Sequence, residues 1–315
     1  MDLSFPDEKK FAFTVFDDTD NATVQNVKPV YDLLDNLGLR TTKSVWVCSP
    51  RDNFGGQTAE DEAYLDFLYE LQKKGFELAS HGVGSGTFSR REILDGFERF
   101  RELFGEYPRV HANHARNPDN LYWRPQDRFA FPFSLLVKGA RHLKRSLPEE
   151  GGHVEDSPHF WGDWAKRHIE YVRDLTFNKV NTLACDPRMP YRHPEKQKYS
   201  NYWFSASDGH TVEEFNALTK PENIDRLEQE GGVCVVYTHF ASGFVRDGIV
   251  DEQFAAQMRD LASRDSGWFV PVGKLLDYLR EARDTSNRFP GRLYRWSVEL
   301  RWLLDRVMKQ WRWGR

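Results

Sequence analysis

The sequence predicts an α/β protein built on a parallel sheet, open or closed into a barrel. Three observations carry this. Short apolar runs of strand type alternate with segments of helical period along most of the 315 residues. Several of those runs end, at their C-terminal side, in groups capable of chemistry. No internal repeat or low-complexity linker divides the chain, so one domain is expected over residues 1–290, followed by a C-terminal segment over 291–315.

The elements follow in order. Residues 11–16 (FAFTVF) read as a strand, closed by the polar cluster Asp17-Asp18-Thr19-Asp20-Asn21. A helix follows, with Pro29 expected in its first turn and Gly38 just past its end. Residues 42–47 read as the second strand. Residues 59–74 read as a helix, because Tyr64, Leu65, Leu68 and Leu71 recur at three- and four-residue steps before Gly75. A third strand spans 76–80 and ends at His81. Ser89 and Glu92 form a capping box before the stripe of Ile93, Phe97, Phe100 and Phe104. Further strands are expected at 109–114, 180–185, 233–238 and 268–272, with a helix over 273–283. Residues 124–171 break the rhythm and read as an inserted segment.

Composition excludes several classes. Hydrophobic residues make up 39% and charged residues 29%, with 23 Phe, 12 Tyr and 10 Trp to fill a core. The 44 basic residues against 48 acidic ones, a net charge of −4, give no pull toward nucleic acid. Cys48, Cys185 and Cys234 match no metal or redox spacing and suit a reducing compartment. The first ten residues lack the basic start and apolar run of a secretory signal, so a cytoplasmic location is expected. No run approaches the roughly 18 apolar residues of a spanning helix.

The polar strand ends are the informative feature: Asp17-Asp18, His81, Asn113-His114, Asp186 and His239. In parallel α/β folds the βα loops converge at that edge, and ligands bind there. Aspartate and histidine together suit Zn²⁺ or a similar divalent ion, and such a set supports metal-assisted hydrolysis. A histidine opposite can protonate a leaving amine. The segments His159-Phe-Trp161-Gly-Asp163 and Asp186-Pro-Arg-Met-Pro-Tyr191 place aromatics beside carboxylates, as a sugar pocket does and as ordinary packing under a loop does too. Asn113, Trp161, Asp163, Asp186 and Tyr191 are therefore the substrate-binding candidates. Gly82-Val-Gly84-Ser-Gly86 lacks the lysine and spacing of a P-loop and is expected to let the backbone pass close to a metal or substrate.

These residues resemble the polysaccharide deacetylase family of carbohydrate esterases. FTVFDD (13–18) resembles that family's first motif, FELASHG (76–82) its second and VVYTHF (235–240) its last, in the right order over roughly residues 10–283. The resemblance implies a distorted (β/α)7-type barrel, here with an inserted segment and a C-terminal amphipathic helix. It implies Asp17 as general base, Asp18 and His81 as metal ligands, His239 as general acid and loss of an N-acetyl group from a sugar as the reaction. The sequence departs from the pattern at Ser85, where the family's second metal histidine is expected, and after the fourth strand, where its Arg-Pro pair is missing. Arg124 or Arg188 would replace that arginine. The third metal ligand is sought among Asp20, His111, His114, Asp186 and His239. Asp20 reads as a cap and strand alternation turns His111 away, which leaves His114. The substrate expected is an N-acetylated sugar, nucleotide- or lipid-linked, of surface-polysaccharide biosynthesis. The alternatives are a catalytically inactive carbohydrate-binding barrel and a hydrolase of a non-sugar C–N bond in a cyclic amide.

The C-terminal segment carries Arg292, Arg295, Arg301, Arg306, Lys309, Arg312 and Arg315 against only Glu299 and Asp305. As a helix it aligns Leu293, Trp296, Leu300, Leu303, Leu304, Val307 and Trp311 on one face. That face is expected either to dock on the barrel or a second subunit, or to make peripheral membrane contact through 291–315. Because the strand pattern is complete before it, the barrel is expected to fold without residues 294–315.

Overall fold

The computed structural model describes residues 4–115, 117–143, 151–283 and 289–314; Arg315 lies outside them, as does part of the expected insertion. The elements run β1 (Phe11–Asp17), α1 (Val24–Asn36), β2 (Thr42–Val45), α2 (Glu62–Lys73), β3 (Glu77–Ser80), α3 (Arg90–Phe104) and β4 (Val110–Ala112). Then come α4 (Pro125–Arg128), α5 (Phe133–Leu143), α6 (Gly162–His168), β5 (Tyr171–Phe177), α7 (Thr182–Cys185) and β6 (Tyr202–Asp208). The chain continues through α8 (Val212–Leu218), α9 (Pro221–Gln229), β7 (Val233–Thr238), and the hairpin β8 (Val245–Arg246) and β9 (Ile249–Val250). It ends with α10 (Glu252–Ala262), β10 (Gly267–Trp268), α11 (Val272–Glu281) and α12 (Arg292–Trp313).

Strands β1 to β7 pair in parallel and in chain order, and β1 closes the ring on β7 from Ala12↔Val233 to Asp17↔Thr238. The closed seven-stranded barrel is uneven. β1 meets β2 only at Phe16↔Thr42 and Asp17↔Lys43, while its first residues pair with β10 instead. β3 and β4 share one pair, Ser80↔His111. β1 and β6 are buried along their whole length, as expected for parallel strands covered on both faces.

Local signals explain most elements. The Ser89–Glu92 capping box opens α3, and Gly105 at φ 86° ends it. A second capping box, Thr23–Asn26, opens α1 and places Pro29 inside that helix, beyond its first turn. Two expectations fail. Residues 182–185 form the short helix α7, and the fifth strand is Tyr171–Phe177, at the edge of the expected insertion. β6 was not expected at all. Both hidden strands carry polar side chains in the buried interior, among them Arg173, Asp174, Ser205 and Ser207, so neither reads as an apolar run.

The C-terminal helix is part of the fold. α12 packs along β5, where the β5–β6 connection supplies only the four-residue α7. Val298 and Trp302 close a second apolar cluster with Phe129, Leu175, Phe177 and Cys185. The polar side chains Arg295, Glu299, Asp305 and Lys309 are the ones turned inward, and Lys309 reaches Asp208 (2.9 Å) and Glu214 (2.7 Å). This is the docking on the barrel that the sequence offered as one of its two alternatives.

Candidate active site

The C-terminal ends of β1, β3, β4 and β7 deliver Asp18, Asp20, His81, His114 and His239 to one mouth of the barrel, all buried. Asp20 is the hub. Its Oδ1 lies 2.7 Å from His114 Nε2, and its Oδ2 lies 3.2 Å from His81 Nε2 and 3.3 Å from His239 Nε2. Oδ2 has no well-formed hydrogen bond despite its burial. Two overlapping sets could each surround one cation: Asp20, His81 and His114, and Asp18, Asp20 and His239.

Groups behind the two ligand-type histidines fix their orientation. His81 Nδ1 sits 2.9 Å from the carbonyl of Ala112, which can only accept, so Nδ1 carries a proton and Nε2 is the nitrogen turned toward Asp20. Trp46 stacks on the ring and donates Nε1–H to the His81 carbonyl (3.1 Å). His114 Nδ1 faces Asn117 Oδ1 at 3.1 Å. The Asn117 amide orientation is itself determined, because Oδ1 accepts from Gly86 N–H (2.8 Å) while Nδ2 donates to the Gly84 carbonyl (2.8 Å). Metal-binding histidines characteristically donate their second ring nitrogen in this way. The glycines of 82–86 permit this tight crossing. A Cβ at Gly84 would meet Phe88 at 2.7 Å and the Cys48 carbonyl at 2.9 Å, so the close approach is to neighbouring protein.

Charge follows geometry. Burial would raise the Asp20 carboxyl, yet the facing imidazoles hold it well below the ordinary carboxylate range. Burial likewise opposes protonation of His114 and His239, but the Asp20 carboxylate raises both. Burial would raise the Asp18 carboxyl, but the Arg173 guanidinium, in a bidentate pair (2.8 and 2.6 Å), together with His81 and His239 lowers it. Beside His239, His210 is pushed down to about 4 by burial and by His239 itself, and its Nδ1 pairs with the Tyr237 hydroxyl (2.9 Å).

The expected roles are redistributed. Asp17 is fully buried, with Oδ1 accepting from Phe240 N–H (2.8 Å) and Oδ2 from the Tyr31 hydroxyl (3.0 Å) beside Lys43 Nζ (3.0 Å). Burial pushes its carboxyl up while Lys43 pulls it back. This closed ion pair holds strands together and none of its hydrogen bonds joins the Asp20 cluster, so the geometry favours a structural role for Asp17 over that of general base. Asp18 is 3.5 Å from His81 Nε2 but is clamped by Arg173, and Asp20 stands where Asp18 was expected among the ligands. Asp20 does not cap α1, since Thr23 does. The arginine that pairs with Asp18 is Arg173, on β5, rather than Arg124 or Arg188. His111 points elsewhere, between Ser80 and Asn113, and burial holds it down near pKa about 3.

The expected substrate residues are occupied structurally. Asn113 clamps Leu121 through both backbone groups (2.9 Å each). Trp161 is buried, with its indole N–H on the Asp119 carbonyl (2.6 Å) and its ring against Phe97 and His111. Asp163 forms a bidentate pair with Arg90 (2.8 Å each). Asp186 accepts from Ser205 (2.7 Å) and Tyr294, and buried Tyr191 packs near Tyr294, so both belong to the seam beneath α12. None of these contacts of the five residues joins the Asp20 cluster. Ser85, at the missing-histidine position, donates to Asp52 (2.8 Å). That bond ties down the segment between β2 and α2, whose Phe54 covers the His114 ring edge-on at 4.7 Å.

Arg173, Asn117, Lys43 and His210 were not anticipated. One signal was present for Asp20: in extended backbone, residues two apart share a side, which associates Asp20 with Asp18.

No protein-family model matches the chain, and no curated protein does. Solved structures match its fold. A Mycobacterium smegmatis protein described as a polysaccharide deacetylase superposes with a TM-score of 0.52 at 13% identity over 89% of this chain and 93% of that one. PuuE allantoinase gives 0.53 at 12% identity over 88% and 92%. A Pseudomonas aeruginosa PAO1 protein described as a polysaccharide deacetylase gives 0.51 at 12% identity over 88% and 93%. The architecture is thus the barrel that these structures share. The distorted (β/α)7 fold expected from the sequence motifs is the fold of this chain.

Proposed function

We propose that the chain is a metal-dependent hydrolase that removes an N-acetyl group from a sugar. The observation that carries this reading is the Asp20, His81 and His114 cluster, in which both histidines have Nδ1 committed as a donor and Nε2 turned toward one carboxylate. A donor set of one carboxylate and two imidazoles fits Zn²⁺ or a similar divalent ion with a position left for water. The poorly satisfied Asp20 Oδ2 fits the same site. A bound ion of this kind lowers the pKa of water and polarises a carbonyl oxygen.

The other residues divide the proton work. Asp18, held ionised and oriented by Arg173, takes a proton from the attacking water at a carboxylate oxygen. The water oxygen bonds to the acetyl carbon, the C–N bond breaks and the amine nitrogen needs a proton. His239 supplies it from Nδ1, which has no hydrogen-bond partner among the described residues, while Asp20 keeps the ring charged through Nε2. The products are acetate and the free amino sugar.

The substrate we propose is an N-acetylated sugar, nucleotide- or lipid-linked, in surface-polysaccharide biosynthesis; the neighbours described as polysaccharide deacetylases support the sugar. The three free cysteines support a cytoplasmic, reducing setting. The likeness to PuuE allantoinase favours a second reading, hydrolysis of a cyclic amide at the same cluster. Acetate release from free, nucleotide-linked and lipid-linked N-acetyl sugars, set beside ring opening of cyclic ureides, separates the two. Acetate release that a chelator abolishes and zinc restores supports the first reading. Ring opening alone supports the second, and neither activity in zinc-loaded protein overturns both.

A further inference from the structure

The two amphipathic helices α5 and α12 carry apolar side chains that no described residue covers. Nine of the twelve large apolar side chains most exposed among the described residues lie on these helices or just before α5. On α12 they are spaced along one side as Leu293, Leu300, Leu304, Val307 and Trp311, the last 95% exposed. Phe131, Leu135 and Leu136 are exposed on and just before α5, whose Phe133 and Val137 pack on the same buried cluster as Trp302 of α12. The helix is inverted relative to a simple amphipathic docking, because its ion pairs face the barrel and its leucines face out. Exposed apolar side chains gathered on two neighbouring elements in this way mark an interaction surface.

We infer that this two-helix face lies on an anionic lipid surface. Charge selects that occupant. The acids of α12, Glu299 and Asp305, are both buried toward the barrel, and α5 (FSLLVKGARHL) contains none. The exposed cations Lys138, Lys179, Arg292 and Arg301 lie on these helices or beside them, in a chain whose formal net charge is −4. An apolar stripe edged by cations and ending in an exposed tryptophan is the pattern of a helix lying in a membrane interface. No helix among the described residues is long and apolar enough to cross a membrane, so the contact is peripheral. The spacing along α12 would also suit a seam with a second copy, but Arg301 flanks it without an acid to meet, and a pairing of like helices would set cation against cation. Lys309 reaches Asp208 at the C-terminal end of β6, two residues before His210, so the tryptophan end of α12 lies on the side of the barrel mouth. The inference stands on this surface and does not depend on the proposed reaction.

The test is co-sedimentation of the full chain with vesicles of phosphatidylglycerol and phosphatidylcholine, beside vesicles of phosphatidylcholine alone. Binding to the anionic vesicles only, falling with added salt, is expected. Arg292→Gln should weaken it about fivefold, the effect of one cation near an anionic surface. Leu304→Glu with Val307→Glu, and separately Trp311→Glu, should each lower the bound fraction at least about tenfold. All these positions are exposed, so the thermal midpoint should not move. Sedimentation velocity without lipid is expected to show a monomer. A dimer that Leu304→Glu with Val307→Glu dissociates would assign the face to a second copy and overturn the inference. Failure to bind anionic vesicles, or binding unchanged in the Leu304/Val307 and Trp311 variants, would overturn it equally.

Discussion

The barrel mouth and the part of the α12 seam around Asp186 and Glu299 bury the same kinds of side chain and treat their protons in opposite ways. At the mouth, Asp18 and Asp20 are held below their ordinary values against the cost of burial, and His114 and His239 are raised. In the seam, burial pushes Asp186 up to about 6 and Glu299 up to about 7, and it lowers His193. The difference lies in the partners. Every acid at the mouth faces an arginine or imidazole at close range, so charge is retained where chemistry needs it. In the seam, Asp186 meets only hydroxyls at hydrogen-bonding distance, and Glu299 meets a backbone N–H, with Arg295 no nearer than 3.9 Å. Density of titratable groups therefore does not identify a site, and neither does preserved charge with an orphaned oxygen, since Asp208 under Lys309 has both; a carboxylate ringed by imidazoles is what sets the mouth apart.

Removing the seam should have the largest effect. Deleting residues 294–315 uncovers Phe129, Leu175, Phe177 and Cys185 and leaves Asp208 and Glu214 without Lys309. The truncated chain is expected to aggregate or to lose cooperative melting by calorimetry; an unchanged melting midpoint would return α12 to the status of an appendage.

Asp17 and Asp18 then separate fold from chemistry. Asp18→Asn should cost about 10²–10⁴ in acetate release, the usual scale for a proton-transfer group, with little change in melting. Asp17→Asn leaves Lys43 buried without its counter-charge and should cost about 3–5 kcal/mol of stability, as broken buried pairs do. Exchange of these two phenotypes, measured by turnover and denaturant melts, would restore Asp17 as the base.

A smaller effect is expected behind the cluster. Asn117→Ala removes the acceptor that fixes His114 Nδ1 and should weaken zinc binding about 10–100-fold in a competition titration. The same substitution should leave His81 in place, since its orientation depends on the Ala112 carbonyl.

The smallest effect concerns pH. Folded-state values of Asp186 and Glu299 lie above their unfolded values of 3.8 and 4.5, so the folded protein binds more protons. Their contribution is complete below about pH 4 and is lost as the pH rises through about 6 to 7. Metal-free protein should therefore lose stability over that interval, and Glu299→Gln should flatten the slope in melts at successive pH values. A slope unchanged by that substitution would remove Glu299 from the account.

The sequence made the mouth legible in outline and the seam hardly at all. Asp18, His81, His114 and His239 follow apolar strands directly, so strand ends and alternation located them. Asp20 sits one step into the loop and resembled a helix cap. Arg173 was hidden because β5, YVRDLTF, puts an arginine and an aspartate in mid-strand, and only long-range pairing with Asp18, Arg128 and Lys196 makes their burial tolerable. Trp161, Asp163 and Asp186 looked like a sugar pocket because aromatics beside carboxylates also build buried loops. The amphipathic period of α12 was correct, but the side it buries was set by ion pairs to Asp208 and Glu214, which lie far away in sequence.

The central claim is that Asp20, His81 and His114 together form the metal site, with Asp18 beside it as the base. Zinc content per chain, measured by mass spectrometry on Asp20→Ala and Asp18→Asn after identical loading and desalting, tests this most directly. The account predicts that Asp20→Ala retains little zinc while Asp18→Asn retains nearly all of it and releases almost no acetate. Full zinc retention by Asp20→Ala, with loss from Asp18→Asn, would contradict it.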